Sequence, residues 1–335
     1  MDHSEIHISC RKLIVPLLPF VISALFAADS FCMVTSTDSV HTDMDALELM
    51  SQQMDQKTDR FNQDYVYTGK ETNKGLRSVP APVTADPKAA PKTPPGPAPA
   101  TPDPGYYMAN KAKFVADFKG VCGGAEKWMA ARIPAPTAKA AADDALRRFE
   151  ILLPTLPDLG GTANRNQPFI TMAGWLTALC QAMREKGMAA KDSGRLLYDL
   201  YAADWASVPP AKAQAMGAAL FTPAAQESIK LWAETTQKRL LPGDWVVRYV
   251  APDKTFDVGY DYLECGACKY FKAQGVAEVA PYYCLNDFLA SRAQGTGLSR
   301  QHTIAQGDPL CDFRYKRGRP VTQDWNTETP KFKVG

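Results

Sequence analysis

The stretch PGDWVVRYVAPDKTFDVGYDY, residues 242–262, decides the fold class. Residues 245–250 and 255–260 are rich in Val, Tyr, Trp and Phe, and a Pro-Asp-Lys turn joins them, which is the pattern of a β-hairpin. Back from it to about Tyr106 the pattern is helical. Segments 106–131 and 137–153 read as helices, with Gly120 and the pair Gly123 and Gly124 as breaks in the first. A loop follows at 154–169, and helical patterning resumes at 170–187, where Trp175, Leu176, Leu179 and Met183 recur at spacings of three and four. Residues 191–207 and 210–220 continue as helices. Thr222 and Pro223 then supply an N-cap and a first-turn proline for a helix to Arg239. Beyond the hairpin, helices are expected over 263–274 and 277–293. Gly295 and Gly297 introduce a strand over 298–305, which turns at Gly307, Asp308 and Pro309 into a last strand over 310–316. A run of helices followed by ββααββ implies an α+β fold, a helical amino-terminal part packed on a small antiparallel sheet.

Composition narrows the function classes. With 45% hydrophobic and 22% charged residues the chain can build an ordinary core. A net charge of +2 gives no reason to expect nucleic acid as a partner. The chain has four histidines, and His3, His7 and His41 precede the globular part, leaving His302 alone within it. That excludes zinc or iron sites built on several imidazoles.

The first 105 residues read as non-globular. Residues 13–28 form a short apolar run after Arg11 and Lys12 and end in Ala27 and Ala28, the order of a signal peptide or signal anchor. Such a chain is exported to the periplasm or tethered to the envelope, and touches a membrane only through this segment if it stays uncleaved. A misassigned start codon would leave the protein cytoplasmic. Residues 29–105 end in a Pro/Ala-rich linker, whose composition cannot bury enough apolar area to offset its ordering entropy. The globular domain is then 106–335.

Within that domain an ordered set of strings stands out: LPDLGG (156–161) with Asn164, PGDWV (242–246), FDVGYDY (256–262), ECGACK (264–269), APYYC (280–284) with Asp287, GTGLSR (295–300) and CDFRYKRG (311–318). Together they resemble the L-2-amino-thiazoline-4-carboxylic acid hydrolase family, roughly from Tyr106 to Gly318. The resemblance implies a hydrolase acting on the carbon–nitrogen group of a small cyclic amidine or amide and opening the ring to an N-carbamoyl-cysteine type product, with a small molecule as substrate. One departure is visible: Gln306-Gly307-Asp308 stands where the family leads one to expect Glu-Gly-Gly, and Gln306 cannot act as a base.

The residues themselves offer several chemistries. Cys265 and Cys268 are three apart in a helical pattern, and so are Cys284 and Asp287 on the next helix, while Cys311 opens the last strand. Thiolates at Cys265, Cys268, Cys284 and Cys311 suit zinc, and less well an iron–sulfur cluster. The same sulfurs also fit a substrate pocket, or buried hydrophobes and disulfides. Strand alternation over 298–305 would place Arg300 and His302 on one face, a guanidinium to hold a carboxylate beside an imidazole to move a proton. In 311–316 it sets Cys311, Phe313 and Tyr315 opposite Asp312, Arg314 and Lys316, so Arg314 can pair with a strand carboxylate. Asp257 and Asp261 share a face, either as paired carboxylates or as the solvent side of the strand.

Ring opening needs activated water, stabilised charge and a protonated leaving group. Cys284, Asp287 and His302 are therefore the catalytic candidates, with Arg300, Arg314 and Asn164 for substrate binding. Asp287 is best placed as general base; Cys284 as nucleophile, or water activated by a cysteine-bound zinc, remain open. The alternatives to a hydrolase are a non-catalytic module that binds a small ligand or a metal in the same pocket, and a redox protein.

Two measurements test the organisation. Amino-terminal sequencing from an envelope fraction is expected to find a chain lacking about its first 27 residues; an intact Met1 terminus in the cytosol would contradict export. Limited proteolysis is expected to leave a stable fragment starting near Tyr106, and a fragment starting near Val34 would move the boundary.

Overall fold

The hairpin forms as two antiparallel strands, β1 (Val246–Val250) and β2 (Val258–Glu264), in a computed structural model that describes residues 105–332. The signal-like segment 1–28 and the linker up to residue 104 lie outside the described residues. β2 starts three residues later than the pattern predicts. The Asp253 carboxylate accepts bonds from both the backbone N–H and the hydroxyl of Thr255, each at 2.6 Å, and this widens the turn.

Ahead of the hairpin run α1 (Gly105–Ala109), α2 (Lys111–Ala130), α3 (Ala135–Leu152), α4 (Gln167–Arg184), α5 (Ala190–Ser207), α6 (Pro210–Ala219) and α7 (Pro223–Gln237). Their starts follow local chemistry. Proline occupies the first turn of α3, α4, α6 and α7, where its missing N–H is no loss, and the Thr222 hydroxyl caps α7 by accepting the Ala225 N–H at 3.2 Å. Helix α4 is buried nearly all round, including Trp175, Leu176, Leu179 and Met183, and is the central post of the domain. The breaks expected in the first helix do not occur where the glycines are. α2 runs through Gly120, Gly123 and Gly124 because a side chain at Gly124 would come within 2.9 Å of Leu200 on α5, so packing uses the gap that propensity alone reads as a break.

After β2 come α8 (Gly266–Ala273), α9 (Ala280–Tyr283), α10 (Asn286–Gln294), β3 (Leu298–Ser299), β4 (Cys311–Tyr315) and α11 (Trp325–Glu328). The strand order is β1-β2-β4-β3, antiparallel throughout, so the α+β expectation holds. The single helix expected over 277–293 is instead a 3-10 turn followed by α9 and α10. Among the described residues no helix is long and apolar enough to cross a membrane.

The strand expected over 298–305 is the main correction. It ends after Ser299 because side chains from elsewhere take the place of the next ladder bonds. The Gln323 amide bonds both the N–H and the C=O of Arg300, at 3.1 and 2.8 Å, and one oxygen of Asp312 accepts the N–H groups of Gln301 and His302. Strand alternation is lost there. Arg300 is buried, and Gln301 and His302 are both exposed.

Helix α6 packs on α10 through Gly217, where a Cβ would fall 2.0 Å from the backbone oxygen of Gln294. Gly217→Ala is therefore expected to destabilise the domain by about 1–3 kcal/mol in urea denaturation through forced separation of the helices. The same change at an open helix position would stabilise it.

Candidate active site

Alternation along β2 and β4 places Tyr260, Tyr262, Phe313 and Tyr315 on one face of the sheet, in the wall of a cavity of about 430 Å3. Tyr260 stacks on Phe313 with ring centres 5.2 Å apart, and its hydroxyl lies 3.0 Å from that of Tyr315. Burial pushes the Tyr260 phenol up to about 12 and those of Tyr262 and Tyr315 well above their ordinary value, so all three stay protonated at neutral pH. Helices α4, α5 and α7 supply Phe169, Met172, Tyr201, Ile229 and Trp232, and α10 brings Asn286, Asp287, Ser291 and Gln294.

Asp287 is the one predicted catalytic residue that the cavity wall contains. It lies deep in the protein, yet 36% of its side chain stays open because it borders the cavity. Burial raises its carboxyl above the ordinary carboxylate range, and the nearby Arg300 guanidinium limits the rise. Arg300 donates to Asp287 at 2.5 Å and to the Cys284 carbonyl at 3.0 Å, and only 4% of its side chain is exposed. Its guanidinium lies 4.8 Å from the Phe288 ring centre and 5.0 Å from that of Phe313. Burial disfavours its charge, and the Asp287 carboxylate opposes this and holds its pKa above the usual value. Arg300 thus holds Asp287 while also bonding the Cys284 carbonyl.

The other predicted site residues are distributed differently. The His302 side chain is 61% exposed, 3.7 Å from Asp308, and neither it nor Gln306 borders the large cavity. The shared face proposed for Arg300 and His302 does not exist, for the reason given with the strand. Arg314 points to the opposite side of the sheet, where Asp261, 2% exposed, accepts from Arg314 at 2.7 Å and from Arg248 at 2.6 Å. Asp257 bonds Lys316 and the backbone of Arg317, so the two carboxylates are not a pair. Asn164 donates to Asp244 at 2.7 Å, Asn166 does so at 2.6 Å, and the bonds tie the LPDLGG loop to the PGDW turn.

The cysteines sit behind this wall and do not line it. Cys265 is the N-cap of α8 and accepts the Cys268 N–H at 3.4 Å, so the pair does not share a helix face as the spacing implies. The Cys268 thiol donates to it and lowers the Cys265 pKa, while Cys268 itself is raised by the same bond. Cys311 donates to the Thr303 hydroxyl, which donates to Cys284. Burial raises Cys284 and pushes Cys311 up to about 11, which keeps both as thiols. The four sulfurs are not assembled as ligands: among the described residues no three His, Cys, Asp or Glu side chains are placed to hold a metal ion.

Sequence reasoning missed most of the cavity. Arg165 donates to Ser228 at 3.0 Å and lies 4.7 Å over the Trp232 ring. Burial lowers its pKa, no carboxylate is among the groups that oppose this, and the neighbouring phenols of Tyr260 and Tyr262 are neutral at neutral pH. Several polar atoms in the wall have no protein partner: both amide atoms of Asn286, Nε2 of Gln294, Oδ1 of Asn166 and Nε1 of Trp232. The signals available were the polar triplet 164–166 before a helix, and Asn286 beside Asp287 in an otherwise apolar stretch.

The family model described as L-2-amino-thiazoline-4-carboxylic acid hydrolase matches residues 168–315, from the first turn of α4 to the end of β4. The match contains Asp287, Arg300 and nearly all of the cavity wall, and it bears out the resemblance carried by the sequence strings over that stretch. No curated protein and no solved structure matches the chain.

Because Arg300 is enclosed, Arg300→Met is expected to lower stability by about 1–3 kcal/mol by leaving a partly buried carboxylate without its cation. The double variant Arg300→Met with Asp287→Asn should recover part of that loss. Urea denaturation of the four members of the cycle measures it; additive losses would show that the pair is not coupled.

Proposed function

We propose that the cavity is the active site of a hydrolase that opens a small carboxylate-bearing cyclic amidine or amide, as in 2-aminothiazoline-4-carboxylate. The observation that carries this reading is a carboxylate of raised pKa set among unpartnered amide groups in one cavity wall. Buried polar groups without partners are costly, and a ligand with donors and acceptors of its own satisfies them. Perturbed acids in a ligand-sized cavity mark reaction sites more often than chance. The family match supports the reaction class.

The roles follow from chemistry. The Asp287 carboxylate takes a proton from water as the oxygen attacks the amidine carbon. The ring carbon–nitrogen double bond becomes single in the tetrahedral intermediate, and Asn286 and Gln294 offer N–H donors to the atoms that gain charge. Asp287 returns the proton to the ring nitrogen; collapse of the intermediate then forms the carbamoyl carbonyl, breaks the bond from that carbon to the ring sulfur and releases a thiol. Of the bonded hydroxyls of Tyr260 and Tyr315, one must donate to the other, which leaves one O–H free to relay the hydroxyl proton of the intermediate to the sulfur, so that neither phenol ends deprotonated. Arg165 is the cation available to the substrate carboxylate. Arg300 is a positioning residue that keeps Asp287 oriented.

Three outcomes are expected when 2-aminothiazoline-4-carboxylate is incubated with the protein and thiol release is followed by mass spectrometry. Asp287→Asn is expected to lower kcat by about 10²–10⁴-fold while circular dichroism stays unchanged. Arg165→Gln is expected mainly to raise KM. In wild type, kcat/KM should fall as pH drops through the Asp287 pKa, since the ionised form is the base. Burial raises that pKa, so the midpoint should lie above the roughly 3.9 of an ordinary aspartate. Full activity of folded Asp287→Asn would place the chemistry elsewhere. Binding without consumption would favour a ligand-binding module.

A further inference from the structure

Two thiols meet at the start of α8, outside the cavity lining. Cys265 is the N-cap, with extended backbone (φ −119°, ψ 114°), and Cys268 stands three residues on in the first turn. The Cys265 sulfur turns back over that turn and accepts the Cys268 N–H at 3.4 Å, and the Cys268 thiol donates to it as well. Capping explains one of these sulfurs. Ser, Thr, Asp and Asn are the usual caps, and a cap has no use for a second thiol at the third helical position.

The turn that carries the pair is held by other contacts. A Cβ at Gly266 would fall 2.4 Å from the Gly243 carbonyl oxygen, so α8 begins pressed against the PGDW turn. Lys269 then donates to the carbonyls of Pro242 and Asp244, at 3.0 and 3.1 Å. Residues three apart in helical geometry have Cα atoms roughly 5 Å apart, inside the ~4.4–6.8 Å that a disulfide spans. Cys284 and Cys311 are placed differently, because the Thr303 hydroxyl stands between them and bonds both. Cys268 is half-buried, so a small reagent reaches the pair, whereas Cys122 and Cys180 are buried.

The two sulfurs also differ in charge. The bond from the Cys268 thiol, followed by the backbone N–H groups of Cys268 and Ala267, holds Cys265 below the ordinary thiol range in spite of burial. The same bond, with burial, raises Cys268. A thiol with added thiolate character at a helix N-terminus, beside one that stays protonated, gives an attacking and a resolving sulfur.

We infer that Cys265 and Cys268 form a redox-active dithiol that hydrogen peroxide closes to a disulfide. The Cys265 thiolate attacks one peroxide oxygen, the O–O bond breaks, and the departing hydroxide takes up the proton that the thiol gave. Cys265 is then a sulfenic acid. The Cys268 sulfur attacks it, and the Cys268 proton leaves with the hydroxyl group as water. Two thiols thus lose two hydrogens and one peroxide becomes two waters, and a dithiol reductant reverses the change by exchange. None of this depends on the hydrolase reading.

The full chain, reduced and desalted, is exposed to hydrogen peroxide, alkylated with iodoacetamide in urea and digested with trypsin, which leaves both cysteines in one peptide, residues 255–269. Mass spectrometry is expected to find that peptide two hydrogens lighter and unalkylated, and doubly alkylated once dithiothreitol has been added. Its free thiols should disappear at least about tenfold faster than Cys122 or Cys180, whose thiols burial raises. Cys265→Ser keeps a hydroxyl cap and hence the helix, and should slow oxidation of Cys268 by about tenfold or more. Cys268→Ser should stop at a sulfenic acid on Cys265 that dimedone labels. Oxidation no faster than at Cys122 and Cys180, a bridge from Cys265 to Cys284 or Cys311 instead, or Cys268 oxidation unchanged by Cys265→Ser would each overturn the inference.

Discussion

The buried pair between Arg300 and Asp287 is the interaction on which the rest of the site depends. A guanidinium shut between Phe288 and Phe313 cannot be left without a counter-charge, and a carboxylate at that depth cannot easily ionise without a cation. Each makes the other tolerable. The pair also joins parts of the chain that have no ladder between them: α10, the carbonyl of Cys284, and the segment that leaves β3. Because Arg300 turns inward there, the third strand stops after two residues, and Gln323 and Asp312 satisfy the backbone that a longer strand would have paired.

Around that pair the sheet separates two kinds of chemistry. On the cavity side, β2 and β4 present phenols that burial keeps protonated, so they act as neutral donors. On the other side, Asp261 is held between Arg248 and Arg314, and its negative charge is balanced within the sheet. The strict alternation of side chains keeps these charges away from the site. Asp287 is then the carboxylate that lines the cavity, and its elevated pKa reflects burial more than competition with other acids.

The cysteines change meaning in this setting. Their crowding in the sequence suggests a shared task, but the fold gives them separate ones. Cys265 caps the buried first turn of α8 by accepting the Cys268 N–H, and Cys311 and Cys284 are linked through Thr303. They lie outside the cavity lining. Thiol groups serve there as small, polarizable fillers with weak hydrogen bonds.

What the sequence by itself determined is what periodicity and local chemistry can encode. The helices before residue 240 carry their apolar repeats, prolines and the Thr222 cap, and the hairpin carries its β-branched and aromatic residues, so the fold class was legible from spacing alone. Asp287 was legible too, as a carboxylate in a helical turn of a string that resembles a hydrolase family. Only tertiary structure decided the site around it. Arg165, Asn166, Trp232, Tyr260 and Gln294 lie on separate elements, and nothing in their local spacing records that they meet. Arg300 and His302 look alike as neighbours in a strand pattern. They part because the groups that end the strand, Asp312 and Gln323, come from further along the chain. Local pattern encodes which backbone geometry a segment prefers; long-range hydrogen bonds and burial decide which side chains share a cavity and what charge each can carry.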